Sequence, residues 1–163
     1  MKKPININYK TTFISIGLFI VGGVSTFLFE EYYRQLVRFS FNYFNGDNIR
    51  FIGKNFHLFP SNSFIIAFGL FTSLAFLLLK FSNTTRSIIQ KCFFSILFFF
   101  ITSICITALD SKRIIVECTA CDDGIVPLQY NEITYSKYFI ISLSITLIYL
   151  LITFFIERRQ LKK

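Results

Sequence analysis

The chain has 163 residues, of which 53% are hydrophobic and 16% charged, with a mean hydropathy of +0.57. That is too little charge to cover the surface of a water-soluble domain of this length, so the composition points to a single domain, residues 1–163, built for a lipid bilayer. The net charge is +8, but the basic residues flank apolar runs and do not interleave with stacking aromatics in a polar setting. That placement speaks for membrane topology and against nucleic acid as a partner.

Lys2, Lys3 and Lys10 precede an uncharged run from Thr11 to Phe29, close to the about 20 residues a helix needs to cross the hydrocarbon. A cleaved signal peptide would have a shorter apolar core ending in a small-x-small site. Here the run continues past Gly22, Gly23 and Ser25, so an uncleaved first span is expected, with the glycines admitting a neighbouring helix. Residues 30–62 form the first long connection. Tyr33, Leu36, Val37 and Phe44 fall near one face of a continuing helix, which would lie in the interface until Asn45-Gly46-Asp47 breaks it. Arg50–Phe59 reads as a short hairpin turning near Gly53-Lys54-Asn55. The second span is expected over residues 63–79, with Gly69 and Ser73 as a packing seam. A third span is expected over residues 92–109 and a fourth over 138–156, separated by the second long connection, 110–137.

Orientation follows from the basic flanks. Lys2, Lys3 and Lys10, then Lys80, Arg86 and Lys91, then Arg158, Arg159, Lys162 and Lys163 would share one side of a four-span chain. The 110–137 loop is acidic on balance; the 30–62 loop, with Arg34, Arg38, Arg50 and Lys54, is the exception. Both termini are therefore expected in the cytoplasm of a bacterial inner membrane, with both long loops outside. Within 110–137, the β-branched Ile114, Ile115, Val116 and Thr119, the turn Asp122-Asp123-Gly124 and the resumption at Ile125-Val126 suggest a β-hairpin, with Pro127 confining its second strand to an edge and Arg50–Phe59 as a candidate to join it in a small sheet over the helix ends. The expected architecture is an all-α integral membrane protein, a four-transmembrane-helix bundle with a small outward-facing β-hairpin cap.

Cys118 and Cys121 stand as Cys-x-x-Cys in that cap. An oxidising exterior favours a structural disulfide; a redox-active pair, half of a metal site and two free thiols are the other readings. Four spans with an outward Cys-x-x-Cys resemble the quinone-linked membrane thiol oxidases, including the vitamin K epoxide reductase family. Those use a second outer cysteine pair, and residues 30–62 hold no cysteine. His57 is the only histidine, and the sequence carries no Ser/His/Asp arrangement, phosphate-binding glycine loop or zinc-protease motif. No catalytic residue, metal or cofactor is expected.

The four runs carry no Asp, Glu, Lys, Arg or His between their flanking charges, whereas transporters and pumps place ionisable groups at mid-membrane depth. Hydroxyls are what remain, and Thr102, Thr107, Ser142 and Thr146 are the candidate residues for recognising another helix in the bilayer. Asn83-Thr84-Thr85-Arg86, Lys91-Cys92 at the start of the third span and the basic tail after a Thr- and Tyr-bearing fourth span resemble the colicin A-type immunity proteins. The resemblance covers mainly residues 80–109 and 138–163. It implies a non-enzymatic inner-membrane protein of four spans with cytoplasmic termini, whose partner is the pore-forming domain of a toxin. A membrane thiol–disulfide oxidoreductase using Cys118 and Cys121, and a small accessory subunit of a larger membrane complex, are the alternatives.

Overall fold

The structure, a computed structural model, describes residues 9–53, 61–80, 85–117 and 125–160. Four long helices dominate it: α1 (Tyr9–Asn45), α2 (Asn62–Leu79), α3 (Thr85–Glu117) and α4 (Tyr135–Gln160). Two short strands, β1 (Ile49–Ile52) and β2 (Val126–Gln129), complete it. All four helices are long and apolar enough to cross a membrane.

α1 is one unbroken helix of 37 residues. At 1.5 Å per residue it is about 55 Å long, several turns more than the about 30 Å that a bilayer's hydrocarbon core measures. No proline interrupts it, and from Gly22 onward one stripe stays buried: Gly22, Thr26, Glu30, Tyr33, Val37, Phe41 and Asn45. The expected continuation beyond residue 30 is therefore the upper half of the first helix. Gly46, at φ +55°, takes the left-handed conformation that ends it, and a single 3-10 turn leads into β1.

Polar contacts fix the helix directions. At one end Glu30 meets Ser61, Arg38 meets Tyr135 and Asp110 meets Tyr138. At the other, Lys80 meets Thr11 and Lys91 meets Glu157. The helices thus run up, down, up and down, and their main contacts follow the ring order α1–α2–α4–α3. The α1–α2 seam is the closest. A Cβ on Gly69 would lie 2.9 Å from the Phe19 carbonyl oxygen, and one on Gly22 2.3 Å from Thr72 Oγ1. Thr72 Oγ1 also donates to the Leu18 carbonyl at 3.0 Å. The glycines act as expected, but Thr72, one position before Ser73, joins Gly69 in the seam.

The bundle centre is aromatic. Phe64 and Phe139 stack at 4.3 Å, with Tyr33, Phe29, Phe68 and Phe99 around them. Outside, Phe13, Ile20, Val24, Phe93, Ile101, Ile148 and Ile152 are exposed. This inside-out surface suits hydrocarbon and would aggregate in water.

The cap differs from expectation. Residues 114–117 do not form a strand; they are the last turn of α3. Propagating an existing helix needs no new nucleus, and Ile114 and Ile115 pack against the core from it. β2 instead pairs with β1, in parallel, with Ile49 opposite Val126 and Phe51 opposite Leu128. Ile49, Val126 and Leu128 are buried in alternation, as a one-sided strand pair requires. Among the described residues the cap is thus a pairing between the two loops: the expected joining of the Arg50 segment to the strand after residue 125 is present, and the first strand of the expected 110–137 hairpin is not. Pro127 does take an edge position. Two residues on, the Gln129 N–H donates to Glu132 Oε2 and its carbonyl accepts from the Glu132 N–H, so that side of β2 faces away from β1. Of the hairpin expected over Arg50–Phe59, residues 54–59 lie outside the described residues.

A candidate site beneath the cap

Glu30, Arg34 and Arg38 are spaced i, i+4, i+8 and so share one face of α1. That face is its buried stripe. The Glu30–Arg34 side chains are 5% and 8% exposed. Glu30 Oε1 accepts from Arg34 Nε at 2.9 Å and Nη2 at 2.6 Å. Glu30 Oε2 accepts from the backbone N–H of Ser61 at 3.0 Å. Ser61 immediately precedes α2, so the carboxylate ties the start of α2 to α1 and satisfies one of the donors a helix start leaves unpaired. Two buried charges survive this far from water because nearly every polar atom of the pair is matched.

Aromatic rings enclose the guanidiniums. Arg34 lies 4.5 Å from the Tyr135 ring centroid and 5.8 Å from that of Phe64. Arg38 Nε donates to Tyr135 Oη at 3.2 Å, and its guanidinium lies 5.1 Å from the Tyr130 centroid. Tyr130 stacks on Phe51 of β1 at 5.3 Å. One chain of contacts therefore runs from the strand cap through Tyr130 and Arg38 to Tyr135 and Arg34. Glu31 is the only acid near Arg38 among the described residues: its Oε1 is 3.8 Å from Arg38 Nη2, its side chain is 45% exposed, and it accepts from Gln35. Positive charge therefore exceeds negative inside the cluster.

Just below, Tyr138 donates to Asp110, and Tyr33 donates to Ser103 Oγ at 3.5 Å. Among the described residues, no group of three or more His, Cys, Asp or Glu is placed to hold a metal.

The hydroxyl candidates point mostly inward. Thr107, Ser142 and Thr146 are fully buried between the helices. Thr107 and Thr146 donate to the carbonyls one turn back, Ser103 and Ser142, at 2.7 and 2.8 Å. Thr102 is half-buried and likewise bonds its own helix. Another helix reaches the inner three only by opening the bundle. Cys118 and Cys121 lie outside the described residues, as does His57. Cys92 is half-buried and Cys105 exposed, and both are free thiols.

In the sequence Arg34 and Arg38 stand as loop charges, and nothing singles out Glu30, Tyr130 or Tyr135. The i, i+4, i+8 spacing was a usable signal, because on a helix that continues past residue 29 it falls on the stripe of Gly22 and Thr26. No family model, no curated protein and no solved structure matches the chain.

Proposed function

We propose that the protein is a multi-pass protein of the bacterial inner membrane, with both termini cytoplasmic, that acts by binding another membrane-inserted protein. Its most concrete form is immunity to a pore-forming bacteriocin, with the toxin's pore-forming domain as the partner. One observation carries this reading: among the described residues, acidic and basic side chains sit only at the two ends of the bundle. Glu30, Arg34, Arg38 and Asp110 occupy one end, and Lys80, Lys91, Glu157, Arg158 and Arg159 the other. The length between them offers side-chain packing and no mid-membrane charge of the kind that moves ions or protons. The resemblance of residues 80–109 and 138–163 to colicin A-type immunity proteins points the same way.

Because Thr107, Ser142 and Thr146 face inward, the contact surface in this reading is the outer face of α3, where Phe94, Leu97 and Ile101 are exposed on successive turns. Expression in a sensitive host should protect against one pore-forming toxin and leave killing by a nuclease toxin that uses the same receptor unchanged. Changing Phe94, Leu97 and Ile101 together to Ala should remove protection at unchanged protein level. Changing Cys118 and Cys121 to Ser should leave it intact. Failure to protect against any pore-forming toxin, or equal protection against the nuclease, would refute the proposal.

A further inference from the structure

Arg38 is held firmly and neutralised poorly. Its Nε is bonded to Tyr135 Oη, and its guanidinium is packed against the Tyr130 and Tyr135 rings. Its terminal nitrogens have no hydrogen-bond acceptor among the described residues; Glu31, at 3.8 Å, is too distant for a hydrogen bond. The side chain keeps 11% exposure, so the fork reaches the surface. Arg34 stands one turn away against the same Tyr135 ring, its own charge matched by Glu30. Of the other acids at this end of the bundle, Asp110 accepts from Tyr138 and Glu132 from the Gln129 backbone. A planar donor pair is thus pre-aimed, partly desolvated and short of one anion.

Depth narrows the ligand. Tyr135 lies one helical turn, about 5 Å, before the uncharged run of α4 that starts at Tyr138. Side chains on a helix lean toward its N-terminus, and that direction on α1 is toward the membrane. The Arg38 fork therefore lies at headgroup height, where the abundant anion is a phosphate with the oxygen spacing a guanidinium matches bidentately.

We propose that Arg38, framed by Arg34, Tyr130 and Tyr135, binds a phosphate oxyanion, supplied by a phospholipid headgroup or by free phosphate. Glu31 is the competitor that the anion displaces.

The test uses the full-length protein in a non-ionic detergent. Two probes, inorganic phosphate and a short-chain phosphatidylglycerol, are titrated at ionic strength matched with chloride, with a short-chain diacylglycerol as the phosphate-free control. Midpoints of thermal unfolding are followed against probe concentration. Wild type should be stabilised by a phosphate-bearing probe and not by the controls; a response to phosphatidylglycerol alone assigns the lipid as source, and a response to inorganic phosphate as well admits the free ion. Arg38→Gln should weaken apparent affinity about tenfold, as loss of a charge-assisted hydrogen bond does. Arg38→Lys, which keeps the charge and loses the fork, should restore only part of it. Glu31→Gln should bind more tightly than wild type, and the exposed Arg50→Gln should match it. Should Arg38→Gln not fold, Glu31→Gln decides, because a purely structural Arg38 gives no reason for affinity to rise. No stabilisation of wild type beyond the controls, or a Glu31→Gln affinity no higher than wild type, would overturn the proposal.

Discussion

Glu30 accepts hydrogen bonds from two helices at once, and its carboxylate faces a guanidinium that is itself 8% exposed. Replacing both partners of such a pair with apolar groups can be close to neutral, whereas removing one leaves a buried charge unmatched. Glu30→Gln is therefore expected to destabilise the protein by about 3 kcal/mol. Glu30→Gln combined with Arg34→Leu should recover part of the loss, since the two sites share one interaction. Thermal unfolding in detergent measures both, and an unchanged midpoint for the single variant would remove Glu30 from its structural role. The sequence carried the composition of this cluster but not its setting. A charge just past an apolar run ordinarily marks the start of a loop, and only the continuity of α1 moves Glu30, Arg34 and Arg38 from solvent to interior. The hydroxyls were half legible: an uncharged run marks them as helix contacts, but not whether the contact is with a partner or inside the bundle. Thr and Ser in an uncharged run serve packing, and most of those here bond their own helix and sit inside.

Helix existence and approximate extent were legible in the sequence, because uncharged runs of membrane-spanning length have few alternatives in structure. Where each helix stops was less so. α1 and α3 run on well past their apolar segments, to Asn45 and Glu117, because the cap gives their upper turns something to bury against. The expectation of a hairpin in residues 110–137 failed on this point. β-branched residues weigh little against an established helix, and strand partners from different loops leave no local turn signal. The glycine seam was legible from small-residue spacing, and its energetic weight can be tested. Gly69→Ala places a methyl group 2.9 Å from the Phe19 carbonyl oxygen, on backbone that cannot swing aside. It should cost about 1–3 kcal/mol, as overpacking does, and lower the unfolding midpoint. Gly17, whose Cβ position is open, should accept Ala without loss. Equal tolerance at the two positions would mean that α1 and α2 do not meet at this seam.

On the scale of the molecule, the helices sort their contents by depth. Aromatic rings and hydroxyls fill the centre, apolar side chains cover the outside, and charges collect at the ends. The ends are unequal. The end that holds the chain's first and last described residues carries Lys80, Lys91, Arg158 and Arg159 beside Glu157. The other carries the strand pair and the arginine–tyrosine cluster. The even number of antiparallel helices was legible in the sequence; the diagonal placement of consecutive helices α2 and α3 was not, because ring order depends on which seams pack best.

In the proposed topology the bundle crosses a membrane with its cap on one side and both chain ends on the other. Paired reporter fusions test it most directly. One reporter follows Lys163 and another is inserted between residues 118 and 124, each scored for cytoplasmic or external activity in intact cells. The first should be active in the cytoplasm and the second outside. Both reporters on the same side, or a protein released from membranes at alkaline pH, would contradict it.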